Sequence, residues 1–144
     1  MESEVNHVEN MPGLVGHRLL LLAGARILLQ LRKDGSWGLP GGWLAPGESP
    51  EQTVRREAKE ETNLDVHRIQ LLGYFSGPEY TFSQIHTEEA DVVTALYQVD
   101  EWSGVMIHDP SQSDELTFFS SEELPRNMAE EYRQYIHGYL AQQK

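Results

Sequence analysis

The chain of 144 residues contains no cysteine. It can therefore form no disulfide, no thiolate zinc site and no cysteine nucleophile, and a reducing cytoplasm is the expected compartment. Basic residues are also scarce, because 11 Lys and Arg stand against 23 Asp and Glu and give a formal net charge of −12. A broad nucleic-acid surface needs Lys and Arg, so we expect no nucleic-acid partner.

Long apolar runs are missing as well. The longest begins at Leu19 and is interrupted by Gly24 and Arg26, which leaves it too short to span a bilayer. The acidic N-terminus has no signal-peptide pattern, and we expect no membrane partner. The histidines show no metal-ligand spacing, and we interpret all of them as surface or core residues: His7, His17, His67, His86, His108 and His137.

The most informative stretch is GGWLAPGESPEQTVRREAKEETNL, residues 41–64. Its central part predicts a helix from Pro50 to Thr62, because Ser49 is a good N-cap and proline suits the first helical position. Gln52 stands where a capping box requires Glu or Gln. Asn63 follows the predicted helix and tolerates the left-handed conformation of a helix end.

The acidic residues of this helix suggest a metal site. At about 100° per residue, Glu57 and Glu61 lie beside the apolar stripe of Val54 and Ala58, and Glu60 borders it. We expect the basic residues of the helix to face water on the far side: Arg55, Arg56 and Lys59. Two inward carboxylates repel each other, so a cation is required, and oxygen ligands favour Mg²⁺ or Mn²⁺.

The same segment resembles the signature of the Nudix hydrolases, which begins with Gly, five residues and Glu. Gly42 and Glu48 open the pattern in this chain. The positions that continue it are Arg56, Glu57, Ala58, Glu60, Glu61 and Leu64. Asn63 stands where the family has Gly, a mild departure, because Asn also tolerates the left-handed conformation. The fixed spacing makes the match specific, and an acidic solvated helix would not turn Glu61 inward.

The rest of the chain predicts one domain over residues 1–144, with 1–12 as a loose arm. The predicted strands are His17 to Leu22, Arg26 to Leu31, Val66 to Phe75, Ala90 to Val99 and Leu116 to Phe119. Residues 23–25 predict a tight hairpin, 37–42 a connection, 77–87 and 101–113 loops, and 126 to the end a helix. The resemblance implies the Nudix α/β/α sandwich, with a mixed β-sheet between helices.

The resemblance also implies a chemistry. Nudix relatives hydrolyse a nucleoside diphosphate linked to another moiety, with metal that lowers the pKa of water. It implies metal ligands at Glu57, Glu60 and Glu61, together with a backbone carbonyl near Gly42. We interpret Glu48 and Arg56 as structural supports of this segment.

The general base stays open, because family members differ in which glutamate accepts the proton. Glu57 is one candidate and Glu115 is the other, with Glu88 and Glu89 behind them. A solvent-facing loop residue is an equally good interpretation of Glu115. The substrate-binding residues stay unknown, because Tyr74, Tyr80 and Phe82 could stack a base but such aromatics are more often core.

The expected partner is a small nucleotide, with nucleotide sugars such as ADP-ribose first and nucleoside triphosphates second. A sensor of the same fold that binds without cleavage is an alternative, as is an acidic module that only binds divalent cations. Sensors tend to lose glutamates of the signature, and this chain keeps all of them. Whether the chain forms a homodimer is left open.

Overall fold

The computed structural model describes residues 15–75 and 93–142. Within them the chain forms seven strands and two helices. In chain order these are β1 (Val15–Ala23), β2 (Arg26–Leu31), β3 (Trp37–Gly38), β4 (Gly41–Trp43), α1 (Pro50–Thr62), β5 (Asp65–Phe75), β6 (Val93–Ser103), β7 (Glu115–Ser120) and α2 (Glu130–Gln142).

The strands form one mixed sheet in the order β3-β2-β1-β6-β5. The pairing of β1 with β6 is parallel, and β5 pairs with β6 in the antiparallel sense. Strand β4 also pairs with β1, and β7 with β2, both antiparallel. The mixed sheet predicted from the sequence is confirmed.

Strands β1 and β2 separate soon after their hairpin. The turn at residues 24–25 joins them, with Gly24 at a φ of 64°, and their register pairs are Leu22 with Ile27 and Ala23 with Arg26. Farther along, β1 pairs with β4 while β2 pairs with β3 and β7. Two neighbouring strands with different partners leave a gap between them, and the cleft described below lies there.

Two apolar layers hold the sheet between the helices. On one face Val54 and Ala58 of α1 share a buried cluster with Leu19 of β1. On the other face Tyr132 and neighbouring residues of α2 cluster with Leu20. Side chains alternate along a strand, so consecutive leucines of β1 serve opposite layers, and each buried leucine contributes roughly 1.5–3 kcal/mol. The expected α/β/α sandwich is confirmed.

Helix α1 has the bounds that the sequence predicted. The Ser49 hydroxyl accepts from the backbone N–H of Gln52, and the Gln52 side chain accepts from the backbone N–H of Ser49. Pro50 is the first helical residue, and Asn63 ends the helix with a left-handed φ of 68°. These capping interactions join residues that are close in sequence, so both ends of the helix could be predicted from the sequence.

Three other boundaries differ from the prediction. Strand β6 continues to Ser103 instead of giving way to a loop at Glu101, because Trp102 packs on the core and its ring N–H donates to the Leu22 carbonyl. Helix α2 begins at Glu130 rather than Arg126, since the preceding segment bridges to Trp37. The predicted connection at 37–42 contains the short strands β3 and β4.

The predicted arm at residues 1–12 and the predicted loop at 77–87 lie outside the described residues. Within residues 15–75 and 93–142, no helix combines the length and apolar character that crossing a membrane requires.

Substitutions at Asn63 test how the end of α1 is held. The sequence predicts that Asn63→Gly is neutral or slightly stabilising, but the Asn63 side chain donates to the Val105 carbonyl at 3.0 Å. We therefore expect Asn63→Gly to lose about 0.5–1 kcal/mol with that bond. Asn63→Ala should lose about 1–3 kcal/mol, because alanine loses the same bond but keeps a Cβ in the left-handed region, without the polar side chain that lets Asn tolerate it. Urea unfolding measures both, and equal losses would contradict a left-handed helix end.

Candidate functional site

Glu57 and Glu61 lie one helical turn apart and meet on the inner face of α1. Glu61 is only 3% exposed, and the Glu57 side chain is 13% exposed. Both are fixed by the packing of Val54 and Ala58, which presses this face of α1 against the sheet. The inward orientation predicted from the helical spacing is confirmed.

The Glu61 carboxylate is held from the sheet side. The Gln30 side-chain amide donates to Oε1 at 2.9 Å, and the Gly41 backbone N–H donates to the same oxygen at 3.2 Å. Burial, followed by contact with Glu57, raises the pKa of Glu61 to about 8, while the two N–H donors act in the opposite direction. A buried carboxylate beside a second one favours either a proton or a cation.

Strand β4 passes this pair at close range. A Cβ at Gly42 would lie 2.3 Å from a Glu57 carboxylate oxygen. A Cβ at Gly41, whose φ is 149°, would lie 1.9 Å from the His17 carbonyl oxygen. Only glycine at both positions lets the backbone run between β1 and the carboxylates, so backbone and side-chain oxygens share one small space.

Arg56 does not face water as predicted. Its guanidinium donates to Glu48 at 2.6 and 3.0 Å, to Glu57 at 3.0 Å and to Glu60 at 3.2 Å. It also donates to the Trp43 carbonyl at 3.3 Å. The helical wheel gives the direction of the Cα–Cβ bond only, and a side chain as long as arginine reaches back across the turn. These contacts join α1 to Glu48 and to the end of β4, as a structural support of the segment would.

Glu48 is fixed by three donors. Besides Arg56, the Thr53 hydroxyl donates to it at 2.8 Å and the Ala45 backbone N–H at 3.2 Å. The hydrogen bond from Arg56 makes the largest contribution to lowering the pKa of Glu48 to about 2. The segment between β4 and α1 is therefore tied to the first turns of the helix by an ionised carboxylate.

The structure does not bring Glu60 or Glu115 into the pair. The Glu60 side chain is 46% exposed and contacts Arg56, and Glu115 accepts from the Thr117 hydroxyl at 2.6 Å. In the described part of the chain, no group of three or more His, Asp or Glu side chains could hold a metal ion. Glu88 and Glu89, the remaining candidates, lie outside the described residues.

The donor set at Glu57 and Glu61 nevertheless fits a hard divalent cation. Mg²⁺ is often bound by one or two carboxylates, with the remaining ligands taken from water and substrate phosphates. The buried, proton-binding Glu61 and the glycine backbone against Glu57 provide oxygens where a cation would offset repulsion. The site can therefore place a divalent cation at the edge of a cleft.

The cleft opens where β1 and β2 diverge and has a volume of about 390 Å³. Glu61 and Gly41 line it on one side, and Arg18, Arg32 and Lys33 bring positive charge to it. The sequence analysis missed these cations and Gln30. A signal was present, because Arg18 and Gln30 interrupt otherwise apolar strands, where a polar side chain needs a partner.

Known proteins resemble the chain along most of its length. The NUDIX domain family profile matches residues 15–139. The chain is 31% identical over 119 residues to the ADP-ribose pyrophosphatase of Methanocaldococcus jannaschii, which covers 80% of this chain and 66% of that protein. It is 30% identical over 113 residues to the oxidized purine nucleoside triphosphate hydrolase of Danio rerio, covering 74% of this chain and 66% of that protein.

The chain thus spans about two thirds of the length of these curated relatives. Among solved structures, the MutT NUDIX hydrolase from Burkholderia pseudomallei superimposes with a TM-score of 0.74 at 26% identity, covering 88% of this chain and 98% of that one. The signature glutamates, the sandwich fold and the family match agree, and the chain belongs to the Nudix family.

Proposed function

We propose that the protein hydrolyses the pyrophosphate bond of a nucleoside diphosphate derivative, with the help of a divalent cation. The observation that carries the proposal is the buried pair of Glu57 and Glu61 against the glycine backbone of β4. Such a pair is destabilising by itself, because two carboxylates are desolvated together. It becomes useful where a cation and a phosphate complete the site.

Glu57 and Glu61 would hold the cation, with a backbone carbonyl near Gly42 as a further oxygen. Glu60 would join them only after leaving Arg56, from which its carboxylate accepts a hydrogen bond at 3.2 Å. Mg²⁺ is the first candidate and Mn²⁺ the second, because the donors are oxygens. When bound, the ion offsets the charge of the pyrophosphate and lowers the pKa of water.

A side chain of the protein must accept the proton that the attacking water loses. Water attacks a phosphorus atom, a new P–O bond forms, the anhydride P–O bond breaks, and the departing phosphate takes the electron pair. We propose Glu57 as the acceptor of the proton of water, ahead of Glu115. Glu57 adjoins Glu61, which lines the cleft, whereas the Glu115 carboxylate accepts a hydrogen bond from the Thr117 hydroxyl.

The substrate is a small nucleotide. Of the two curated relatives above, one is named for ADP-ribose and the other for an oxidized purine nucleoside triphosphate. Both substrates contain a pyrophosphate bond, so both are compatible with the site. A sensor would bind such a ligand without cleaving it, but the intact set of glutamates favours turnover.

Labelled water distinguishes hydrolysis from sensing. With ADP-ribose, nucleoside triphosphates and related compounds in ¹⁸O water and Mg²⁺, we expect label in one phosphate product and none on carbon. The reason is that water attacks phosphorus. Tight cation-dependent binding by calorimetry, without turnover of any compound in the panel, would establish the sensor and contradict the enzyme.

Charge-removing substitutions test the cation site. We expect Glu57→Gln and Glu61→Gln each to lower turnover about 100- to 1000-fold, the range found when one charge-stabilising group is removed. Calorimetric titration with Mg²⁺ should show weaker binding in both. Glu60→Gln should have a smaller effect, because Glu60 is exposed and bonded to Arg56.

Glu51→Gln is the matched control for these variants. It removes the same charge from the same helix at an exposed residue that pairs with Arg55. Wild-type turnover and Mg²⁺ affinity in Glu57→Gln or Glu61→Gln would show that the residue is no ligand.

We also propose that Glu48 and Arg56 support the site without taking part in the chemistry. The ionised Glu48 joins Arg56, Thr53 and the Ala45 backbone, and Arg56 in turn bonds Glu57. Loss of these contacts would let the segment before α1 move relative to Glu57 and Glu61.

The pH dependence of unfolding tests the hydrogen bonds that the Glu48 carboxylate accepts. Because the folded pKa of Glu48 is lowered to about 2, its contribution is fully present above the ordinary value of 4.5 and is lost as pH falls toward 2. We therefore expect the wild type to have a higher free energy of unfolding in urea than Glu48→Gln at neutral pH. This difference should shrink as the pH falls below 4.5. A difference in free energy of unfolding that stays constant across this pH range would contradict a stabilising role of the ionised Glu48 carboxylate.

A further inference from the structure

Two arginines in the cleft form no salt bridge with a described residue, although Asp34 lines the same cleft and interacts electrostatically with Arg32. Arg18 and Arg32 make no ion pair with any described residue, although the chain has about two acidic residues for every basic one. Lys33 differs, because it pairs with Asp114 at 3.0 Å. In so acidic a protein, guanidinium groups that form no salt bridge beside the buried Glu61 indicate that an anionic partner comes from outside the chain.

Both guanidinium groups are held on one aromatic ring. The Arg18 guanidinium lies 5.6 Å from the centroid of the Tyr132 ring, and that of Arg32 lies 5.1 Å from it. Arg32 also donates to the Tyr132 hydroxyl, and Arg18 donates to the Leu39 carbonyl at 3.3 Å. Tyr132 belongs to α2 and is buried, so the second helix fixes the two cations in the cleft.

The backbone makes room for this arrangement. A Cβ at Gly38 would lie 2.8 Å from both Arg32 Nε and the Tyr132 ring. Arg32 Nε is buried and has no hydrogen-bond partner among the described residues. The absence of a side chain at Gly38 is therefore needed for the stacked arginine.

The cleft has the chemistry of a phosphate site rather than a base or sugar site. The described residues that line it are polar apart from Gly41, and none is aromatic. Its charged residues are Glu61, Asp34, Lys33 and the two arginines, which surround one space of about 390 Å³. A ligand that reaches from the carboxylate pair to Arg18 and Arg32 must carry negative charge beyond the bond that is cleaved.

We propose that Arg18 and Arg32, held by Tyr132, bind a terminal phosphate, and that the preferred substrates are nucleoside triphosphates rather than nucleotide sugars. The proposal rests on the proposed function for the position of the cleaved bond. In a nucleotide sugar both phosphates lie between sugars, and one divalent cation offsets much of their charge. A triphosphate adds a terminal group that arginine recognises with paired donors.

Binding without turnover tests the arginines independently of catalysis. We expect inorganic tripolyphosphate with Mg²⁺ to bind more tightly than inorganic pyrophosphate by calorimetry. Arg18→Gln and Arg32→Gln should each weaken tripolyphosphate about 10-fold or more, because a hydrogen-bonded charge is lost. Arg68→Gln is the matched control, since Arg68 is exposed and pairs with Asp100 and Glu101.

Kinetics test the choice of substrate. For nucleoside triphosphates, Arg18→Gln and Arg32→Gln should raise KM more than they lower kcat, while kcat/KM for ADP-ribose changes little. Arg32→Lys should recover part of the loss, and Tyr132→Phe should weaken tripolyphosphate binding because the hydroxyl contact with Arg32 is removed. Thermal melts identify any variant that fails to fold.

Three results would overturn the proposal. They are tripolyphosphate binding by folded Arg18→Gln and Arg32→Gln at wild-type strength, an equal loss in Arg68→Gln, and a wild-type preference for ADP-ribose over triphosphates. If no compound turns over but tripolyphosphate binding depends on the two arginines, the phosphate site stands and the hydrolase proposal fails.

Discussion

The close burial of two carboxylates on one face of α1 is the constraint on which the site depends. Glu57 and Glu61 would repel each other and lose hydration, so every neighbouring group that contacts them compensates in part. Gln30 and the Gly41 N–H donate to one carboxylate, and Arg56 donates to the other. These donors offset only part of the negative charge, so the pair favours either a proton or a cation.

The divergence of β1 and β2 gives that charge an open space to act in. Beyond the hairpin, β1 pairs with β4 and β2 pairs with β3. Glu61 lines the cleft that lies where the two strands diverge. The absence of a side chain at Gly42 lets the backbone of β4 lie close to the Glu57 carboxylate of α1. The sheet therefore supplies access as well as support.

The sequence predicted what depends on local chemistry and missed what depends on distant pairing. The ends of α1 followed from Ser49, Pro50 and Asn63, because caps act within a few residues. Arg18 could not be located from the sequence, since its neighbours depend on which strand pairs with β1 and where α2 packs. The prediction for Arg56 was wrong because helical angle does not describe the reach of a long side chain.

The cleft contains charges of both signs. Glu61 of the carboxylate pair lines it from α1, and the guanidinium groups of Arg18 and Arg32 lie on the Tyr132 ring of α2. Among the described residues, no salt bridge joins Glu61 to Arg18 or Arg32. A cation alone would satisfy only the carboxylates, and a phosphate alone only the guanidinium groups. A phosphate chain carrying a divalent ion satisfies both, so each should strengthen the binding of the other.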